Sequence, residues 1–297
     1  MSAPFKFDLD AATPLGKENT EPGIVAIKPR DRRFCRNDRP DRWWLNNDPV
    51  ATAWHNALSI AFPKGEAFFI EHVRACREGA PQKLEAEIRA FIRQEVNHTR
   101  EHVAFNRVAA EAGYDTSRIE ARLDDRLSQT QGRSSLINLA ASMALEHITA
   151  IMARETLVKY DQYDGASREI AELWRWHAIE EIEHKGVAYD TWLHSTKDWK
   201  RAKRWWVRSL MMIIAGYNFV ASRIADTLDL LAQDGLTGIK WKWRLIRYLL
   251  WQPGVLRRIF PAMVTYFLPG FHPWKADDRA LILLHDSEFP DAMMPEA

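Results

Sequence analysis

Apolar residues recur at three- and four-residue intervals through most of this chain and almost nowhere alternate with polar ones, so the pattern predicts helices and no sheet. The first helix starts at Asp48-Pro49, with the aspartate as N-cap and the proline at its first position. It runs through Trp54 and Leu58 to Pro63-Lys64-Gly65, which interrupts it or begins a new helix. From Glu66 a helical run sets Glu66, Phe69, Ile70 and Val73 on one face, and Gly79-Ala80-Pro81 stops it and starts the next. That next helix, over 81–112, carries the stripe Leu84, Ile88, Phe91, Ile92, Glu95, His98, His102 and Phe105, and Gly113 caps it. The polar link 114–131 has room for a short helix near 119–127 and serves as a long crossover. A further helix, over 135–160, has the stripe Leu136, Leu139, Met143, Glu146, Ala150, Ala153 and Leu157. After a turn at 161–165, Ser167 caps a helix that passes through Trp174 to Gly186.

Beyond Ser195 the chain becomes rich in Trp, Met, Ile, Leu, Lys and Arg. The spacing predicts two further helices, 205–221 and 240–268, joined by a turn at Asp234-Gly235. The expected organisation is an extended arm over 1–47, pinned by Trp43 and Trp44, with a solvated tail equally compatible. A four-helix bundle over 48–195, a helical extension over 196–268 that packs on it, and a loose Pro- and Asp-rich tail over 269–297 complete the chain.

Polar residues sit on stripes that should be apolar. Glu66 lies on the first core helix, Glu95 and His98 on the second, Glu146 on the third, and His177, Glu181 and His184 on the fourth. Burying carboxylates and imidazoles costs several kcal/mol unless something charged pairs with them, and a metal ion is the simplest such partner. Two of the helices carry Glu-x-x-His, as Glu95-Val96-Asn97-His98 and Glu181-Ile182-Glu183-His184, alternating with helices that carry one Glu. That is the ligand plan of ferritin-like di-iron and di-manganese carboxylate bundles. Glu71-His72 competes with Glu66, which is preferred because it shares a face with Phe69, Ile70 and Val73. His102, one turn past His98, reads as a support for a ligand. Glu101, His147, Glu180 and Glu183 flank ligand positions and point elsewhere, solvated or supporting; Trp174, Trp176, Tyr189 and Trp192 read as packing.

Composition narrows the partners. Lys and Arg number 41 against 40 Asp and Glu, which gives no reason to expect nucleic acid. The cysteines, Cys35 and Cys76, are too few for a disulfide framework or a thiolate zinc site, and the acidic N-terminus lacks the apolar core of a signal peptide. No run reaches about 18 uninterrupted apolar residues. The expected location is the cytoplasm, with peripheral contact at the inner face of the membrane left open.

The motifs Phe62-Pro63-Lys64-Gly65-Glu66, Glu95-x-x-His98-x-x-x-His102, Glu146-His147-Ile148-Thr149-Ala150 and Trp176-His177-Ala178-x-Glu180-Glu181-x-Glu183-His184-Lys185 resemble a bacterial family labelled predicted metal-dependent hydrolases, a ferritin-like group. The extra His177 is also similar to the third histidine of di-iron arylamine N-oxygenases. The resemblance implies metal ligands at Glu66, Glu95, His98, Glu146, His177, Glu181 and His184. The expected activity is that of a di-iron oxidoreductase, an oxidase or oxygenase with two iron ions, a small organic substrate of lipid-like character and an electron donor. The alternative is a metal-dependent hydrolase holding manganese or zinc, with Glu180 or Glu183 as base. The basic C-terminal helices are expected to pack on the bundle, form a homodimer interface or lie on an anionic membrane.

Overall fold

A computed structural model describes residues 26–36, 40–286 and 289; the expectations for the rest of the arm and for the end of the tail lie outside the described residues. Among the described residues the chain is all-α, without strands. Helices α1 (Pro49–Ala75), α2 (Gln82–Glu111), α4 (Ser135–Val158) and α5 (Arg168–His184) pack as a bundle, with α3 (Ser117–Ser128) in the crossover between α2 and α4. Asn138 near the start of α4 lies 2.9 Å from His72 near the end of α1. The crossover therefore returns along the length of the bundle, and α4 runs antiparallel to α1. Short links leave α2 antiparallel to α1 and α5 antiparallel to α4. Two apolar clusters fill the interior, one around Trp54, Trp174 and Trp176, the other around Phe69, Phe91 and Leu139.

Asp48 caps α1 by accepting from the Val50 and Ala51 amides at 2.8 and 3.2 Å. Pro63 neither interrupts α1 nor starts a new helix. A proline there leaves the Ser59 carbonyl without its helical donor, at a usual cost of about 3 kcal/mol. Asn106 Nδ2 of α2 donates to that carbonyl at 3.0 Å and offsets the loss. The helix survives because its neighbour repairs it.

The C-terminal part departs further from expectation. The first of its helices is α7 (Arg201–Gln233), longer than 205–221, and α6 (Val187–Ser195) precedes it. Arg223 and Asp226, both buried on α7, pair with each other, and Arg122 of α3 donates to Asp226 at 2.6 Å. The single helix expected over 240–268 is two, α8 (Ile239–Leu250) and α9 (Val255–Thr265), separated at Pro253-Gly254. Gly254 adopts φ 73°, and a Cβ there would lie 2.8 Å from the Trp251 carbonyl. Through residue 286 the tail is not loose: it forms α10 (Arg279–Asp286) and is fastened by Lys185–Asp278 at 2.6 Å.

The arm is held by acids of the bundle. Arg30 is 1% exposed and pairs with Glu183 at 2.7 Å and with Asp286 at 2.6 Å. The Arg30 amide donates to Glu180 at 2.8 Å, and the Phe34 amide to Glu101 at 2.8 Å. Glu101, Glu180 and Glu183 are thus buried rather than solvated. Truncating Arg30 leaves two carboxylates buried without their cation, so Arg30→Ala should lower stability by about 3–5 kcal/mol. Asp48→Ala, which removes one cap, should cost about 1 kcal/mol. Urea unfolding of the two variants checks the ranking.

Candidate metal centre

Each core helix sends carboxylate or imidazole groups to one level of the bundle, because spacings of three, four and seven residues keep them on the inward face. Glu66 comes from α1, Glu95 and His98 from α2, Glu146 from α4, and His177, Glu181 and His184 from α5, all at most 5% exposed. Ligating atoms of Glu66, His98 and His177 lie within 4.8 Å of one another, as do those of Glu95, Glu181 and His184. Glu181 Oε1 joins the groups, at 3.0 Å from His177 Nε2, 3.6 Å from His98 Nδ1 and 3.6 Å from His184 Nε2. Glu146 adjoins the second group, 3.5 Å from His184 Nε2. Glu71 is exposed, while His72 lies between the Phe68 carbonyl and Asn138, away from the cluster.

Buried polar atoms normally find partners. Here both oxygens of Glu95 and Glu146, Glu66 Oε1, Glu181 Oε2, His98 Nδ1 and His184 Nε2 have no hydrogen bond. His184 Nε2 approaches Glu95 Oε1 at 3.0 Å without hydrogen-bond alignment. These atoms face one another, so the donors fit cations at the centre of the cluster.

The outward atoms of the same rings are held. Glu180 lies 3.0 Å from His98 Nε2, and Gln94 Oε1 lies 2.9 Å from His184 Nδ1. His177 Nδ1 is 2.6 Å from His102 Nε2, and His102 Nδ1 is 2.8 Å from Ser59 Oγ. Ser59 must donate its proton to Asn106 Oδ1, 2.7 Å away, because that oxygen can only accept. His102 Nδ1 is therefore the donor to Ser59. Burial, then the neighbouring His177, keeps His102 well below the usual imidazole range, so it is neutral and its Nε2 accepts from His177. His177 Nδ1 is then the donor to His102, and its Nε2 lies 3.0 Å from the Glu181 carboxylate. A proton, or a metal cation in its place, bridges ring and carboxylate at that distance.

Electrostatics give the same picture. Burial, reinforced by Glu95, pushes Glu66 well above the usual carboxylate range. Burial raises Glu95 to about 8 and Glu146 to about 7, with His184 opposing. At Glu181 burial also acts upward, but His184 and His177 outweigh it and hold the carboxyl well down. His98 is depressed by burial and by His177, whereas His184 is raised because Glu181, Glu146 and Glu95 outweigh its burial. Four carboxylates would balance two divalent cations.

Two cavities end on this cluster. The larger, about 220 Å³, is lined by Phe62, Phe69, Leu145, Met211 and Phe219 and reaches Glu66, His177 and Glu181. The smaller, about 70 Å³, passes Trp54 and Trp174 to His177 and Glu181. Glu95, His98, Glu146 and His184 line neither. His147 points away, 3.4 Å from the Ala262 carbonyl. Ser59, Gln94, Asn106 and Arg30 were not foreseen as parts of the site. Asn106 follows His102 by one turn, a signal that could have found it; Arg30 offered none.

For the metal-free protein the sign of the pH dependence follows. Glu95 and Glu146 hold protons in the folded chain above the ordinary 4.5, which stabilises it fully below that value and is lost as pH rises to about 8. Raised His184 and Glu180, the latter about 8 through burial, act in the same direction. His98 and His102 act oppositely, but only until unfolded imidazoles deprotonate near 6.5. Between about pH 6.5 and 8 the chelated protein should therefore lose stability as pH rises, and bound metal should remove the loss. Thermal unfolding with chelator and with Mn(II) measures it; identical, flat curves would count against the buried cluster.

No curated protein and no solved structure matches the chain. The model of a family described as predicted metal-dependent hydrolase matches residues 28–277, a span that takes in the clasped arm, all four bundle helices and every donor of the cluster. The chain belongs to that predicted metal-dependent hydrolase family.

Proposed function

We propose that this protein is an enzyme with a dinuclear metal centre, and that its reaction is the oxidation of a largely apolar organic substrate by dioxygen at two iron ions. The observation that supports the centre is the convergence of buried carboxylate and imidazole atoms without partners. Glu66, Glu95, Glu146 and Glu181 would hold the ions through oxygen, and His98, His177 and His184 through unprotonated nitrogen. Hard carboxylates and neutral imidazoles in this ratio suit iron or manganese. When bound, such a pair supplies a place for dioxygen and the electrons to reduce it.

The chain's own contributions are orientation and exclusion of water. Glu180, Gln94 and His102 fix the three imidazole rings. Thr99 Oγ1 donates to Glu66 Oε2 at 2.8 Å, leaving Oε1 free toward the cluster. Phe62 packs on both His102 and His177, at ring separations of 4.8 and 5.0 Å, and closes the inner end of the cavities. A substrate in the larger cavity meets Glu66, His177 and Glu181 first.

A second reading, hydrolysis by a metal-activated water, has the family description in its favour, and the same donors would serve it. Anaerobic purification followed by metal analysis separates the two. Two irons per chain and oxygen uptake on exposure to air are the expected result. Ester turnover with Zn(II) or Mn(II), independent of oxygen, would establish the second reading instead. Glu95→Ala and His184→Ala should each abolish loading of at least one ion; full loading in both would refute the ligand set. His102→Phe should weaken metal affinity by about 10- to 100-fold while leaving the stoichiometry recoverable at higher metal concentration, as titration calorimetry can read.

A further inference from the structure

Helices α7, α8 and α9 lie against the α1 and α4 side of the bundle, with α8 and α9 folding back along α7. The end of α9 returns to the start of α7, where Trp205 Nε1 donates to the Phe267 carbonyl at 2.7 Å and Arg208 to the Leu268 carbonyl at 2.9 Å. Each helix buries one stripe on the bundle, as α8 does with Leu245 and Leu249. Each also carries a second apolar stripe that is exposed. On α7 it is Trp206, Leu210, Ile213 and Tyr217; on α8, Ile239, Trp243, Ile246 and Leu250; on α9, Phe260 and Val264, followed by Leu268 just beyond its end. Trp206, Tyr217, Trp243 and Trp251 are 62–73% exposed. Because the three helices form one layer on one side of the bundle, these stripes share its outer face.

The segments that carry these stripes are predominantly basic, although Arg208 and Arg223 are buried and Arg244 and Arg258 face Asp48 and Glu155. Residues 199–225 contain six Lys and Arg, and residues 235–276 contain seven, with no Asp or Glu in either span. Lys240, Lys242, Arg247 and Arg257 are exposed and in no ion pair among the described residues. An outward apolar stripe with tryptophans, flanked by uncompensated bases, is what an interfacial helix presents to lipid. The partner that matches both features is an anionic bilayer, since it offers apolar depth for the rings and negative headgroups for the bases. A second copy of this chain would set base against base.

We propose that the outer face of α7, α8 and α9 is a docking surface for an anionic lipid bilayer. The larger cavity strengthens the assignment. Ile214, 40% exposed and beside the outward stripe of α7, lines that cavity together with Leu123 and Leu127 of α3. Docking sets this rim at the lipid surface. If the reading of the cluster as an enzyme centre holds, an apolar substrate passes from bilayer to Glu66, His177 and Glu181 without crossing water. The docking surface itself does not depend on that reading.

The test is co-sedimentation of the full chain with phosphatidylcholine vesicles, with and without an equal share of phosphatidylglycerol. The protein is expected to pellet with the anionic vesicles only and to be released by high salt. Replacing Lys240, Lys242 and Arg247 together by Ala should weaken partitioning about a hundredfold. Trp243→Ser should weaken it at least tenfold. Both variants should keep the wild-type metal content and helical circular dichroism, which separates loss of docking from loss of the centre or of the fold. Protein left in the supernatant with anionic vesicles, or equal binding to neutral ones, would overturn the proposal. So would a stable dimer that Trp243→Glu converts to monomer, because a second copy would then cover the face.

Discussion

Everything in this protein is arranged around the cost of keeping carboxylates in a dry helical interior. Four glutamates and three histidines meet where the bundle excludes water, and many of their inward atoms have no hydrogen-bond partner. An apolar core would pack there more cheaply. The cluster persists as a unit because protons, or cations in their place, can be shared among groups that Glu181 connects.

From that constraint the supporting structure follows outward. Each imidazole is held on its far side, so that the atom facing the centre is fixed by an atom facing away from it. The His177, His102, Ser59 and Asn106 sequence runs from the cluster into α1, where Asn106 also repairs the backbone gap made by Pro63. One side chain thereby serves helix continuity and ring orientation together. On the other side Glu180 touches His98 with one oxygen and the arm's Arg30 amide with the other. The arm is thus coupled to the centre, and its arginine compensates acids that the bundle could not otherwise bury.

The C-terminal layer solves a different problem. It covers the α1 and α4 side with apolar residues, walls the cavities through Phe219 and Met211, and leaves a second apolar surface outside. Helix α4 is long and apolar enough to cross a membrane by composition, yet two-thirds of its apolar window is buried by neighbours, and it delivers Glu146 to the cluster. Its hydropathy belongs to the bundle core.

The local signals in the chain determined much by themselves. Period, caps and glycines placed the bundle helices and the crossover, because these are set within a few residues. The spacing of Glu95 with His98, and of His177, Glu181 and His184, put each set on one inward face for the same reason. What depends on partners distant in sequence was decided only by the tertiary structure. Pro63 stays helical because Asn106 is near; Arg223 is buried on α7 because Asp226 pairs with it, the same carboxylate that Arg122 of α3 reaches; Glu101, Glu180 and Glu183 are buried because an arm some 70 to 150 residues away supplies amides and a guanidinium. The sequence alone determined which residues could line one face of each helix; only the assembled bundle decided which of those faces meet, since burial and charge compensation are properties of neighbours and not of spacing.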